Sequence, residues 1–403
     1  MIDSDLIIPP PIPFADTTIG ELEEASKIFN VPTNTLVEEI IDGVRPERIN
    51  PQGVYERYYI PTGNLIIDFS KLKDAAYDAA VADTIKNLQN KLNELEQAVL
   101  TEDAKTLTKT GRPGGSAYMR NIAKMRTWLE DPIGRKPPYA IFAKGNQKLP
   151  FWTFSTLPDV TCPGAGDCLV DPQDKSKRGW CYSFSSWHKV TPFMRQLQNT
   201  LLIRIKDKSW IEADAKKKFK KGEVVRLYVD GDMDSKATIT YWMHFCERFP
   251  QNKFYGYSKS WGLFKSWHTD NGGKWPSNYV MNLSSGTKLE RILTKERFQA
   301  VVKEMLSLRN PQTGHRLVRG TFRALEVASK SPGTLKRGKK AAQKWTAHRQ
   351  EVLDEAKKAG IRGDFSAKGV FVCPGYCGKC LKNGGHACGD KRMEDMAIVI
   401  GIH

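Results

Sequence analysis

The sequence predicts an α/β protein: a largely parallel sheet or partial (β/α) barrel that carries a cysteine metal site and follows a helical N-terminal region. Three observations predict it. From residue 137 onward short aromatic and β-branched runs alternate with helical patterns, the texture of strand–helix–strand units with parallel pairing. Seven of the eight cysteines fall in two short windows, residues 162–181 and 373–388. The region before residue 136 carries helical periodicity instead of strand runs.

Taken in order, residues 1–15 read as an extended arm, because Pro9, Pro10 and Pro11 fix φ and remove backbone donors. The acidic start and the prolines do not fit a secretory signal. No apolar run is long enough to span a bilayer, so the expectation is a soluble protein of the host-cell cytoplasm with no membrane partner. Residues 16–135 form the helical region. Two short helical patterns within residues 17–44 meet at Asn30-Val31-Pro32 as a hairpin. Further on, Ile85, Leu88, Leu92, Leu95 and Val99 repeat at spacings of three and four, a coiled-coil seam. Its partner is a second copy of the chain, another helix, or residues 118–128 folded back across the Gly-rich loop 101–116.

Residues 136–372 read as the α/β catalytic domain, with strands at 139–143, 151–157, 223–229, 253–257 and 279–283 and helices at 191–206, 236–248 and 294–308. Residues 373–403 form a cysteine-rich segment that closes with a strand at 396–402. In parallel units functional groups gather at the C-terminal ends of strands. That rule collects the first cysteine window, Asp230-Gly231-Asp232, Ser258-Lys259 and Ser284-Ser285 on one rim.

Clustered cysteines without an export signal point to metal before disulfides, and the occupants that thiolates favour are zinc or an iron–sulfur cluster. Cys162, Cys168 and Cys181 contain no tight pair, so they suit a cluster with one iron left open. Cys377 and Cys380 form a C-x-x-C pair, to which Cys373 and either Cys388 or His386 add; zinc is expected there. Cys388 is also a candidate fourth ligand of the first site. Cys246 reads as core. Asp232, Lys259 and Ser284 are the candidate catalytic residues. Asp230 and Asp232 with Asp234 suit Mg²⁺, or Asp234 or Ser235 simply caps the helix that follows.

The formal charge of +17 points to a polyanionic partner. Lys217, Lys218 and Lys220 form one basic run, and Lys336, Arg337, Lys339 and Lys340 another. Between them the stretch 259–277 interleaves Trp261, Lys265 and Trp267 and reads as an exposed loop that stacks unpaired bases. The expected partner is therefore single-stranded DNA or RNA.

The segment KLPFWTFSTLPDVTCPGAGDC followed by WCYSF, then Val225-Arg226, Gly231-Asp232 and FYGYSK, and finally the closing cysteines with the terminal strand, resembles the phage and plasmid gene-product-eighty-eight family over residues 140–403. At Tyr228 the chain departs from the family, which commonly has a histidine there. The resemblance implies kinship and a mobile-element origin and no particular reaction. The order of cysteines, Gly-acid pair, Ser-Lys and Ser-Ser also resembles radical S-adenosylmethionine barrels, which implies an open-iron cluster and S-adenosylmethionine as a cofactor. The leading expectation is thus a phage- or plasmid-encoded iron–sulfur enzyme acting on nucleic acid. The alternatives are a zinc-stabilised replication protein or Mg²⁺-dependent nuclease or nickase, and a non-enzymatic nucleic-acid-binding protein.

Overall fold

In the computed structural model of the chain the described residues are 74–101, 115–145, 149–158, 160–169, 179–181, 183, 189–329, 339–364, 368–375, 377, 380–381 and 385–402. The proline arm and the hairpin expected in residues 17–44 lie outside them. The coiled-coil seam finds its partner within the chain. Helix α1 (Asp74–Thr101) and helix α2 (Gly115–Leu129) pack together, and Leu88, Leu92 and Leu95 are buried in one cluster with Tyr118, Ile122 and Met125. Arg126 holds Glu96 across the hairpin. Both helices also pack on α3 (Val190–Arg204), which is buried almost all round because it lies between the hairpin and the sheet.

Eight strands form one sheet in the order β1-β2-β3-β4-β5-β6-β8-β7. They are β1 (Ala143–Lys144), β2 (Trp152–Thr153), β3 (Val224–Leu227), β4 (Lys253–Ser258), β5 (Tyr279–Ser284), β6 (Val318–Glu326), β7 (Gly369–Val372) and β8 (Met396–Ile402). Only β1 pairs antiparallel; every other pair is parallel. The expected strand 139–143 is thus reduced to a two-residue edge. Beyond β2 the chain stays extended, with Phe154 and Thr156 hydrogen-bonded to Arg226 and Asp230. Strands β6 and β7 were not expected, since Arg319, Gly320 and Arg323 interrupt the apolar pattern of one and the other spans four residues.

Side chains alternate across the strands, and the two faces differ. Val225, Leu227, Phe254, Met281 and Leu283 join the large core built with the helices, which include α4 (Ser209–Lys218), α5 (Lys236–Arg248), α6 (Trp261–Asp270), α7 (Leu289–Ile292) and α8 (Lys295–Ser307). The opposite face presents Val224, Tyr255, Tyr257, Val280 and Phe322, which pack in a second, smaller cluster with Ala387, Cys388 and Met393 of the closing segment. The cysteine-rich segment is therefore a cover on the sheet. Helix α9 (Lys339–Lys358), in the basic stretch, leads through α10 (Ile361–Asp364) to β7. No helix among the described residues is long and apolar enough to cross a membrane.

Candidate functional site: a cavity lined by both cysteine groups

The first cysteine loop is pinned to the ends of three strands. The Thr161 hydroxyl donates to Leu157 O and meets the Thr156 hydroxyl at 2.7 Å, while Asp232 N donates to Thr161 O. Gly164 lies so close to β4's end that a Cβ there would stand 2.0 Å from Lys259 O, which no side chain tolerates. Gly166 N donates to Gly286 O beyond β5, and Cys181 N returns to Cys168 O at 2.7 Å. Asp167 pairs with Arg291. The loop can hold thiols in place because its backbone is already spent on the sheet's C-terminal edge.

Asp232 is the hub of that edge. Its Oδ2 accepts from Lys259 N (2.8 Å), the Ser258 hydroxyl (3.0 Å), Ser260 N (3.2 Å) and the Ser260 hydroxyl (3.0 Å). Its Oδ1 accepts from Met233 N at 2.8 Å. With those donors converging, the carboxylate locks β3 to β4, and its lone pairs are not offered to Mg²⁺. Asp230 is similarly engaged, accepting from Gln196 at 3.0 Å. Asp234 does not cap α5: it pairs with buried Arg204 at 3.1 Å, and Ser235 is the cap, accepting from Thr238 N at 3.1 Å. The three acids of YVDGDMDS are therefore structural ties and not a cation cradle.

What Asp232 positions is Lys259, whose Nζ donates to Ser284 Oγ at 3.0 Å and lies over the Trp180 ring. Lys259 and Ser284 line a cavity of about 500 Å³, and so do six of the eight cysteines: Cys162, Cys168, Cys181, Cys373, Cys377 and Cys388. Cys380 is not among the lining residues; its sulfur accepts from Ala387 N at 3.1 Å, while Cys373 Sγ accepts from Gly375 N at 3.4 Å. The two groups that are far apart in sequence thus face one space. Cys246, in contrast, is fully buried in the main core.

Burial pushes all three thiols of the first loop up, Cys168 to about 12, and Cys388 rises to about 11 for the same reason. The thiolate is the ligand form, so a metal bound by such thiols would release their protons to solvent. Burial opposes the charge of Lys259, yet the neighbouring Cys168, Cys181 and Asp232 hold its pKa above the ordinary value. Among the described residues no three His, Cys, Asp or Glu side chains are gathered as tightly as one metal ion requires. Tetrahedral zinc bonded at about 2.3 Å draws its thiolates to within about 4 Å of each other. A four-iron cluster is larger and keeps its thiolates further apart.

Several expected nucleic-acid contacts are elsewhere. The stretch around Trp261 is helix α6, and Trp261 and Trp267 are buried. Trp261 stacks on Phe298 and Trp267 donates to Thr240; neither can stack a base. Lys265 pairs with Glu304 at 3.0 Å. Lys217, Lys218 and Lys220 precede β3 and so lie at the sheet end opposite the cavity; Lys218 is held by Asp214 at 2.7 Å. Lys336 and Arg337 are outside the described residues. Lys339 and Lys340 begin α9.

Two cavity features escaped the sequence. Arg226 lines the cavity and lies over the Tyr257 ring at 4.5 Å, and Tyr228 takes a left-handed φ of 54° while its hydroxyl accepts from Trp242 at 3.0 Å. An arginine inside a strand-like VVRL run was the available signal for the first; nothing in sequence marks the backbone of the second. The family model described as gene product 88 matches residues 133–362. That span holds the first cysteine loop and Lys259, and it stops short of the closing cysteines. The likeness to radical S-adenosylmethionine barrels has no support from it. No curated protein and no solved structure matches the chain.

Proposed function

We propose that this chain, which belongs to the gene product 88 family, is an iron–sulfur enzyme whose reaction centre is the shared cavity and whose substrate is nucleic acid. Cys162, Cys168 and Cys181 hold the cluster. Three thiolates would leave one iron open to a ligand, and Lys259 and Ser284 border the same cavity. The observation that carries this reading is the convergence of six thiols and a half-buried lysine on one cavity at the C-terminal ends of parallel strands. Thiols that were only structural would have no reason to share a cavity with Lys259. S-adenosylmethionine is the proposed co-substrate, supported by the order in which the cysteine loop, Gly231-Asp232, Ser258-Lys259 and Ser284-Ser285 follow β2, β3, β4 and β5.

The nucleic-acid part rests on the net charge of +17 and on where β6 ends. That strand leaves the sheet at the cavity end at Glu326, and the basic stretch from Lys330 to Lys344 follows directly in sequence. The Mg²⁺ nuclease reading loses its ground, because the donors around Asp232 and Asp230 fill the places a cation needs.

Anaerobic purification followed by iron, sulfide and zinc analysis tests the cluster: iron and sulfide in equal amounts are expected, and zinc alone would sink the reading. Reduced protein given S-adenosylmethionine should release 5′-deoxyadenosine, and its absence removes that co-substrate. Binding to single-stranded oligonucleotides should weaken steeply with salt; salt-independent or absent binding removes the substrate class.

A further inference from the structure

The closing cysteines have their own reason to be near the cavity. We propose that Cys373, Cys377, Cys380 and Cys388 hold a second iron–sulfur centre, closed by four thiolates, on the wall of the cavity that the first loop lines. In taking that cavity as the site of a first cluster it rests on the reading above, but the second centre stands on separate residues.

The strongest observation is a buried positive charge whose hydrogen-bond partners are all neutral, with Glu394 and Asp395 favouring it only electrostatically. Arg319 on β6 is about 1% exposed. Its hydrogen-bond partners are all neutral: Asn282 Oδ1 at 2.6 Å and the carbonyls of Met393, Met396 and Thr321. The acids of the neighbourhood, Glu394 and Asp395, are already engaged by Arg316. A buried guanidinium left without an anion costs several kcal/mol. Cys388 lies beside it: Asn282, which accepts from Arg319, donates to Cys388 O at 2.9 Å, and the Cys388 thiol acts on the guanidinium electrostatically. A cluster bound by four thiolates is an anion, and held by these residues it would supply the counter-charge that Arg319 lacks among its hydrogen-bond partners.

Two further observations agree. Backbone N–H groups already point at two of the sulfurs, from Gly375 to Cys373 and from Ala387 to Cys380, and such bonds hold thiolates and tune cluster potentials. Cys373, Cys380 and Cys388 pack with Tyr255, Met393 and Ile398 in the small apolar cluster on the sheet's covered face, which keeps water from the site.

Metal content decides it. Anaerobically purified full-length protein should contain roughly eight iron atoms per chain, about four for each cluster. A Cys373→Ser/Cys377→Ser variant and a Cys162→Ser/Cys168→Ser variant should each keep roughly half. Electron paramagnetic resonance of the reduced wild type should show a signal broadened by coupling between neighbouring clusters, and each variant the sharper signal of an isolated one. Roughly four iron atoms plus about one zinc lost with the Cys373→Ser/Cys377→Ser pair overturns the second centre and leaves the first. Iron lost only with that pair does the reverse, and no iron overturns both. If a variant fails to fold, the iron and zinc counts and the spin coupling of the wild type decide alone.

Discussion

The two cysteine groups reach one cavity by different routes. The first arrives on a loop at strand ends, where Thr161, Gly164, Gly166 and Asp232 tie it to the edges of β3, β4 and β5. The second arrives as a cover on the sheet's face, seated on Tyr255, Val280 and Phe322 and backed by Arg319. The first depends on hydrogen bonds to backbone, the second on apolar contact and on a buried charge. Their responses to mutation should differ accordingly.

The largest expected effect is in the first region. Asp232→Ala removes the acceptor on which four donors converge, three of them on buried residues, leaving Ser260 N its bond to Ser258 Oγ, and should cost about 4 kcal/mol. The urea midpoint of the variant reads this directly. A variant as stable as wild type would mean that the loop is not pinned by this carboxylate, and the contrast with the second region would collapse.

Arg319→Met probes the second region and should be smaller and conditional. In metal-loaded protein it removes the counter-charge of a thiolate centre and should destabilise by about 3 kcal/mol. In metal-free protein the same change removes the desolvation cost of the charge but leaves Asn282 Oδ1 and Met393 O without a donor, and should destabilise by clearly less. Equal destabilisation in both states would show that Arg319 serves only its neutral partners Asn282 and Met393.

The contrast also explains what could be read from sequence. The cysteine loop, Asp232, Lys259 and Ser284 sit at strand ends, and strand–helix alternation is enough to bring strand ends together. The cover was not legible in this way, since which face a segment lies on is set by side chains such as Tyr255 and Tyr257 that alternate with core residues in the same strand. Strand β6 hid Arg319 for a related reason: a buried arginine in VRGTFRALE reads as solvent-facing until its partners are known. The stretch around Trp261 misled because its glycine and lysines look like a loop, whereas Trp261, Phe264 and Trp267 at helical spacing form the buried stripe of α6. Expectations of that kind fail where local polarity and tertiary burial disagree.

Two half-buried lysines extend the comparison. Lys259 faces thiols; Lys208 instead donates to the carbonyls of Ile203 and Ile205 at the end of α3 and lies over Tyr241, with Asp234 and Asp207 nearby. Burial pushes Lys208 down to about 7, below its ordinary value near 10.4 in the unfolded chain. Between those values the unfolded chain holds one more proton than the folded one, so the Lys208 contribution to stability increases as pH rises through this window. The wild type should gain about 2 kcal/mol over Lys208→Met between pH 7 and pH 9. Urea titrations of both proteins at the two pH values measure it. A difference that stays flat with pH would mean that Lys208 keeps its charge on the helix end.

Ser284→Ala should be the mildest change and the most selective. Ser284 Oγ accepts from Lys259 Nζ at the cavity wall, where water can replace the hydroxyl, so the loss should be about 1 kcal/mol in thermal unfolding. Its neighbour makes the control. The Ser285 hydroxyl accepts from Ala324 N at 2.8 Å, joining β5 to β6, and Ser285→Ala leaves a backbone donor without that partner at a buried serine. Ser285→Ala should therefore lose more stability than Ser284→Ala while leaving the first loop's metal unchanged. Ser284→Ala, which frees the lysine facing Cys168 and Cys181, should shift the spectrum of the loaded first site. If the two serines behave alike in both measurements, the Lys259–Ser284 contact is only part of the sheet, and the first region owes its character to Asp232 alone.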